Sequence, residues 1–166
     1  MDQLRVGLIG EAITTVTEDL TAYTIGSGSL DVYATPAMIA LMEEACVAAI
    51  EPYLSEGLAS VGIEVHTSHL SATPIGENIT AIAEISAVDG KRVTLEVRAW
   101  DEQEMIGEST MVRYIIDVQT FLDRLDNATD DPDNPDNDDA ATHSGLNLST
   151  LGKLRTEASD NDTNVD

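Results

Sequence analysis

Between Thr35 and Leu54, apolar residues recur every three or four positions: Met38, Ile39, Leu41, Met42, Ala45, Cys46, Ala49 and Ile50. That spacing lays them in one broad arc on a helix. The segment carries start and stop signals. Thr35 is placed to cap it, and Pro36 falls at the first helical position, where a missing N–H costs nothing. Pro52 and Gly57 bracket the exit. Ala40, Ala45, Ala48 and Ala49 are small enough for a sheet to approach closely. Upstream, residues 9–24 are rich in Thr and Ile with partial alternation, which predicts a strand. GSGSLDVYA then predicts a flexible connection.

After the helix the apolar period shortens to two. Strands are predicted over SVGIEVHTSHLSA, NITAIAEISAV, KRVTLEVRAWD and EMIGESTMVRYIIDV. Pro74 and Gly76 mark a turn, Asp89 and Gly90 a two-residue hairpin, and Glu102 and Gln103 an acidic turn. The expectation is four strands in a meander. VQTFLDRLDN reads as a last strand edge or a short helix. With no helix between the strands, a parallel sheet of βαβ units is disfavoured. An antiparallel sheet must still cover its apolar face, and the single helix is the only cover available. The predicted class is α+β, an antiparallel sheet of about five strands wrapped around one long central helix.

Charge changes the picture more than hydrophobicity does. The chain has 166 residues, 31 Asp plus Glu against 8 Lys plus Arg, and a formal net charge of −23. Such a surface repels phosphate backbones and anionic bilayers, so neither nucleic acid nor a membrane is an expected partner. This much like charge strains a small fold unless salt screens it, which points to a halophilic, salt-rich cytoplasm. The N-terminal stretch MDQLRVGLIGEAIT lacks a basic region followed by a long apolar run, and no stretch reaches membrane-spanning length, so a cytoplasmic location is expected. From Ala128 the composition turns to Asp, Asn and Pro. Residues 1–126 are read as the folded domain and 127–166 as an acidic, disordered tail. The acids and bases of residues 126–166 leave −14 on the body, so the tail alone does not explain the bias. Asp131, Asp133 and Asp136 lack the glycine and glutamate of a calcium loop. LSTLGKLRTEA is too short to fold alone as a helix.

Candidate chemistry is sparse. Cys46, the one cysteine, sits in the apolar helical pattern and reads as a small core residue. His143 lies in the tail. His66 and His69 are three apart on one strand and face opposite ways, which argues against a two-histidine metal clamp. No metal and no cofactor are implied. Glu43 shares a helix face with Ile39, Cys46 and Val47, although periodicity alone leaves Glu44 as an alternative. A carboxylate beside such a face is a general base, a nucleophile or a paired structural charge. Arg113, mid-strand between Val112 and Tyr114, reads as a surface residue.

The segments ATPAMIALMEEACVAAIEPYL and SVGIEVHTSHLSATPIG, with the spacing to GESTMVR, resemble hotdog-fold thioesterases of the fluoroacetyl-CoA thioesterase type over about residues 4–124. The resemblance implies a hotdog fold and hydrolysis of an acyl-CoA thioester by a homodimer or a higher oligomer of dimers. It implies a catalytic set of Thr35, Glu43 and His69, with the Gly62 backbone N–H and Arg113 on the substrate. It favours Glu43 over Glu44 and His69 over His66. These residue types suit the reaction, which needs an activated oxygen, a proton shuttle and donors for an oxyanion. Two departures move the expected substrate from fluoroacetyl-CoA to a short-chain acyl-CoA or related thioester. Glu44 stands where that family has an aromatic, and TIGSGSLDVYA offers only Tyr33 where the family has lid phenylalanines. Arg92, Arg98 and Arg113 are the candidates for phosphate contact. A hotdog module that binds a thioester without cleaving it, and a hydratase, are the alternatives. The hydratase would need an Asp–His pair absent from the helix.

Overall fold

The computed structural model describes residues 4–130. The predicted tail, with His143, the aspartate run and LSTLGKLRTEA, lies almost wholly outside the described residues. The chain separates into two units, Met1–Leu122 and Asp123–Asp166. The first holds the sheet and its helix.

Strand β1 (Ile9–Thr15) precedes a short helix α1 (Ala22–Ile25) and the long helix α2 (Thr35–Ile50). Strands β2 (Leu58–His69), β3 (Asn78–Asp89), β4 (Arg92–Trp100) and β5 (Met105–Asp117) follow, and then helix α3 (Val118–Asp130). All neighbouring strands are antiparallel, in the order β1-β3-β4-β5-β2. The expected α+β class, with five strands around one helix, is what the chain adopts.

Four details differ from the sequence reading. The meander holds only for β3, β4 and β5. β2 crosses to the far side of the sheet, pairs with β5, and leaves its other edge free of any strand. The predicted strand 9–24 stops at Thr15. Beyond it a 3-10 turn (Glu18–Leu20) and α1 take over, because the Thr21 hydroxyl accepts the Thr24 N–H at 3.2 Å and caps a new turn. The glycine–serine stretch after α1 is a tied turn. Gly26 takes φ +83°, and the Ser27 and Gly28 N–H groups both donate to Ala22 O. The hairpin loop lies one residue later than predicted, since Asp89 pairs with Arg92 and leaves Gly90 and Lys91 to turn. VQTFLDRLDN resolves as helix, capped by Asp117 Oδ1 accepting the Thr120 N–H at 2.9 Å.

The core lies between α2 and the concave face of the sheet. Along β4, Val93, Leu95, Val97 and Ala99 are buried on one face while Thr94, Glu96 and Arg98 point outward. From α2, Met38, Met42, Ala45, Cys46, Ala49 and Ile50 are sealed against that face. A fully buried Met or Ile contributes about 1.5–3 kcal/mol. Ala45 and Ala49 serve close approach as expected, whereas Ala40 and Ala48 are exposed. The matching feature on β1 is Gly10, where any Cβ would run into the backbone of Ala45, Ala48 and Ala49. Cys46 is a core residue: its thiol is pushed up to about 12 by burial, and it donates to Met111 Sδ at 3.7 Å. No helix among the described residues is long and apolar enough to cross a membrane.

Candidate active site

The first turn of α2 differs from the sequence reading in a way that bears on chemistry. Thr35 is the first helical residue and Ala34 the cap, with no side-chain capping bond. The Thr35 hydroxyl is instead 2.8 Å from His69 Nδ1, at the end of β2. The threonine is therefore free of the structural duty that competed with a chemical one. Thr35 and His69 line an open cleft of about 360 Å³, together with Ala22, Val32, Tyr33 and Ser71. The His69 pKa is lowered from its ordinary value, chiefly by burial, which outweighs the opposing pull of the nearby Ser71 backbone on the protonated ring. Its ring is neutral near pH 7, and Nε2 is buried with no partner among the described residues. A buried nitrogen without a partner calls for a group that the described residues do not supply.

Tyr33, the one aromatic noted as a stand-in for the lid phenylalanines, is no lid. It is 2% exposed and part of the core, and burial raises its pKa to about 12. The large apolar side chains exposed in this part of the chain are Tyr23, Ile25 and Leu30.

Two turns along α2 stands a second constellation. Arg113 Nη1 donates to Glu43 Oε1 at 3.1 Å, and the side chains are 8% and 40% exposed. The expectation that Arg113 lies at the surface fails because β5 is covered on its inner face by α2. The same guanidinium donates from Nε to Ser60 Oγ at 3.0 Å and from Nη2 to Ser60 O at 2.8 Å. Every nitrogen of the fork is thus engaged inside the protein. Glu43 Oε1 also rests on Gly62, where a Cβ would overlap it. The β2 register slips between Gly62 and Glu64, so the strand bulges where it meets Arg113. Ser60 is the residue that sequence reading missed. A serine in a strand carries no signal of its own, and only the register that sets β2 against β5 reveals it.

Glu44 and His66 part from the site. Glu44 is exposed. His66 faces the outer side of the sheet with Glu96 and Arg98, opposite to His69 as the strand period requires. Arg92 is also outside, bonded to Glu64 at 2.6 Å. The chain therefore brings Thr35 to His69, and Glu43 to Gly62, Ser60 and Arg113. No hydrogen bond among the described residues joins the two sets. They lie eight residues apart on α2, about 12 Å along its axis.

The domain has the hotdog fold, and thioesterases of that fold superimpose on it even at modest identity. A thioesterase superfamily member from Thermus thermophilus, 28% identical, gives a TM-score of 0.70 over 76% of this chain and 96% of its own. The fluoroacetyl-CoA-specific thioesterase (FlK) family matches residues 16–119, and the chain belongs to that family. The fluoroacetyl-CoA thioesterase of Streptantibioticus cattleyicolor is 41% identical over 91 residues, which is 55% of this chain and 66% of that protein. The chain thus spans just under two thirds of that curated relative. A solved structure of the fluoroacetyl-CoA thioesterase FlK is 32% identical, with a TM-score of 0.71 over 76% of this chain and 98% of its own.

Proposed function

We propose that this chain hydrolyses a short-chain acyl-CoA thioester to the free acid and CoA thiol, with Thr35, Glu43 and His69 as its catalytic residues. The observation that carries the reading is the Thr35–His69 hydrogen bond at the mouth of a cleft, with His69 Nε2 left unbonded. A neutral imidazole so held can take up a proton released as water attacks the acyl carbon and return it to the departing thiolate. Glu43 supplies the carboxylate that takes a proton from water or attacks the thioester carbonyl itself. Either route breaks the C–S bond and ends in the same acid and thiol. The Gly62 backbone N–H is assigned to the carbonyl oxygen. Arg113 serves the site through Glu43, since each of its three nitrogens already donates to a group of the protein. A threonine-to-serine mutant of the related FlK enzyme has been solved with acetyl-CoA, which supports a small acyl group. With no aromatic beside Glu43 and none buried over the cleft from residues 24–32, the reading is a general short acyl chain.

The working unit we propose is a homodimer, alone or within a larger assembly. β2 has a free edge, with Ile63 and Val65 largely exposed along it. That is a template for another strand. Gly62 and His69 are seven residues apart on it. Antiparallel pairing of two such edges lays the Gly62 end of one chain beside the His69 end of the other. Each cleft then takes Glu43 from one chain and the Thr35–His69 pair from its partner. Two-fold symmetry gives two equivalent sites.

The direct test is release of free thiol from a series of acyl-CoAs of increasing length. Glu43→Gln keeps size while removing the base, and turnover should fall at least about a hundredfold with melting little changed. A folded variant that hydrolyses its best substrate at the parent rate would leave Glu43 a structural charge. Activity is assigned to residues 1–126 with the 127–166 tail dispensable, and a chain ending at Asp130, so that α3 stays whole, should keep it. A cytoplasmic, high-salt setting goes with the body charge of −14. The thermal melt should rise from dilute buffer to molar KCl, and an unchanged melt would remove the halophilic reading.

A further inference from the structure

We infer that Ser60 is a positioning residue for the hydrolysis. It holds the Arg113 guanidinium so that Glu43 is gripped by one oxygen only and keeps the other free to react. The inference rests on the proposed role of Glu43. An arginine facing a carboxylate ordinarily closes a two-bond fork on both oxygens. Such a fork here would tie up the oxygen pair that must accept a proton or attack carbon. Arg113 does not form it. Its Nε and Nη2 edge is filled by Ser60 alone, whose hydroxyl and backbone carbonyl accept at 3.0 and 2.8 Å. With that side-on edge occupied, the guanidinium is turned so that Nη1 alone reaches the carboxylate, at Oε1 and 3.1 Å. Gly62 backs the same oxygen, because a side chain there would displace it. Oε2 has no hydrogen bond from any described residue, and 40% of the Glu43 side chain is open to solvent. Arg113 and Ser60 are both buried.

The two Glu43 oxygens are thereby made unequal. Oε1 is the held oxygen, and Oε2 is the reacting one. The serine does this from a strand it shares with Gly62. A slip of β2 against β5 would lose both contacts together.

The test is turnover of acyl-CoA by the full chain carrying Ser60→Ala, alone and combined with Glu43→Gln. Ser60→Ala removes the hydroxyl that holds Nε and leaves only the backbone carbonyl on Nη2, so the guanidinium can turn toward Glu43, and kcat should fall about tenfold or more while KM stays within roughly twofold. Ser60→Thr keeps the hydroxyl and should recover most of the loss. In the Glu43→Gln background, Ser60→Ala should have no further effect on kcat, since both changes act on one carboxylate. A merely structural serine would lower stability and add its effect in either background. Should Ser60→Ala not fold, Ser60→Cys keeps the volume, weakens the acceptor and carries the same comparison. Parent kcat in the folded serine variants, or an equal loss with and without the Glu43 carboxylate, overturns the inference. If Glu43→Gln itself retains the parent rate, it is the proposed role of Glu43 that fails, and the two failures are told apart by that single variant.

Discussion

The two ends of the α2 site face are built on opposite electrostatic plans. At its first turn, an exposed hydroxyl meets a half-buried neutral imidazole through one hydrogen bond beside an open cleft. Two turns on, a partly exposed carboxylate meets a buried guanidinium whose other donors are spent on Ser60. The first end is suited to moving a proton, because its imidazole is neutral and burial keeps it so. The second is suited to holding an anion in one orientation, because its cation cannot turn away. The helix keeps them about 12 Å apart, the separation that the proposed dimer would bridge.

Hybrid dimers break or sharpen that comparison most strongly. Glu43→Gln and His69→Ala should each lose at least about a hundredfold in turnover. Mixed and re-dimerised, the two inactive variants should regain activity, because one cleft per hybrid would hold an intact Glu43 and an intact His69. Sites confined to single chains would give no recovery, and the measurement is thiol release before and after mixing. Gly62→Ala comes next. Its methyl would displace the end of a flexible carboxylate, so stability should change little. Misplacing the reacting group by about an ångström should cost roughly ten- to a hundredfold in kcat. Circular dichroism and turnover on the same sample check both halves.

The smaller effects belong to the first end. Thr35 is not a cap, so Thr35→Ala should lower stability by less than about 0.5 kcal/mol, against the roughly 1 kcal/mol of a lost N-cap. A melt showing the larger loss would restore the capping role. His69 should titrate below 6.5 in the folded protein, followed by its ring proton resonances. The sign follows from its lowered pKa. The unfolded chain takes up the proton first, so stability tied to His69 is complete above 6.5 and declines as pH falls toward the folded value. A midpoint above 6.5 would mean that a carboxylate, not burial, governs the ring.

What the chain announces by itself is whatever is periodic. The α2 arc, the alternation of β2 to β5 and the opposed faces of His66 and His69 follow from repeats of 3.6 and 2, which need no partner to be read. A carboxylate beside an apolar arc needs a reason, but periodicity left Glu44 beside Glu43 and His66 beside His69, and the family resemblance chose between them. Strand order was not legible: a meander and a crossover share one alternation, and the pairing of β2 with β5 and of β3 with β1 is fixed only in the folded sheet. The burial of Arg113 was equally hidden, since alternation assigns a face but not which face is covered. The duty of Thr35 turned on a histidine 34 residues away, and that of Ser60 on the register of β2 against β5. Local sequence determines which elements form and which way each side chain points. The tertiary structure decides which groups meet, because hydrogen bonds between distant residues depend on register, and register is set by the packing of the whole sheet.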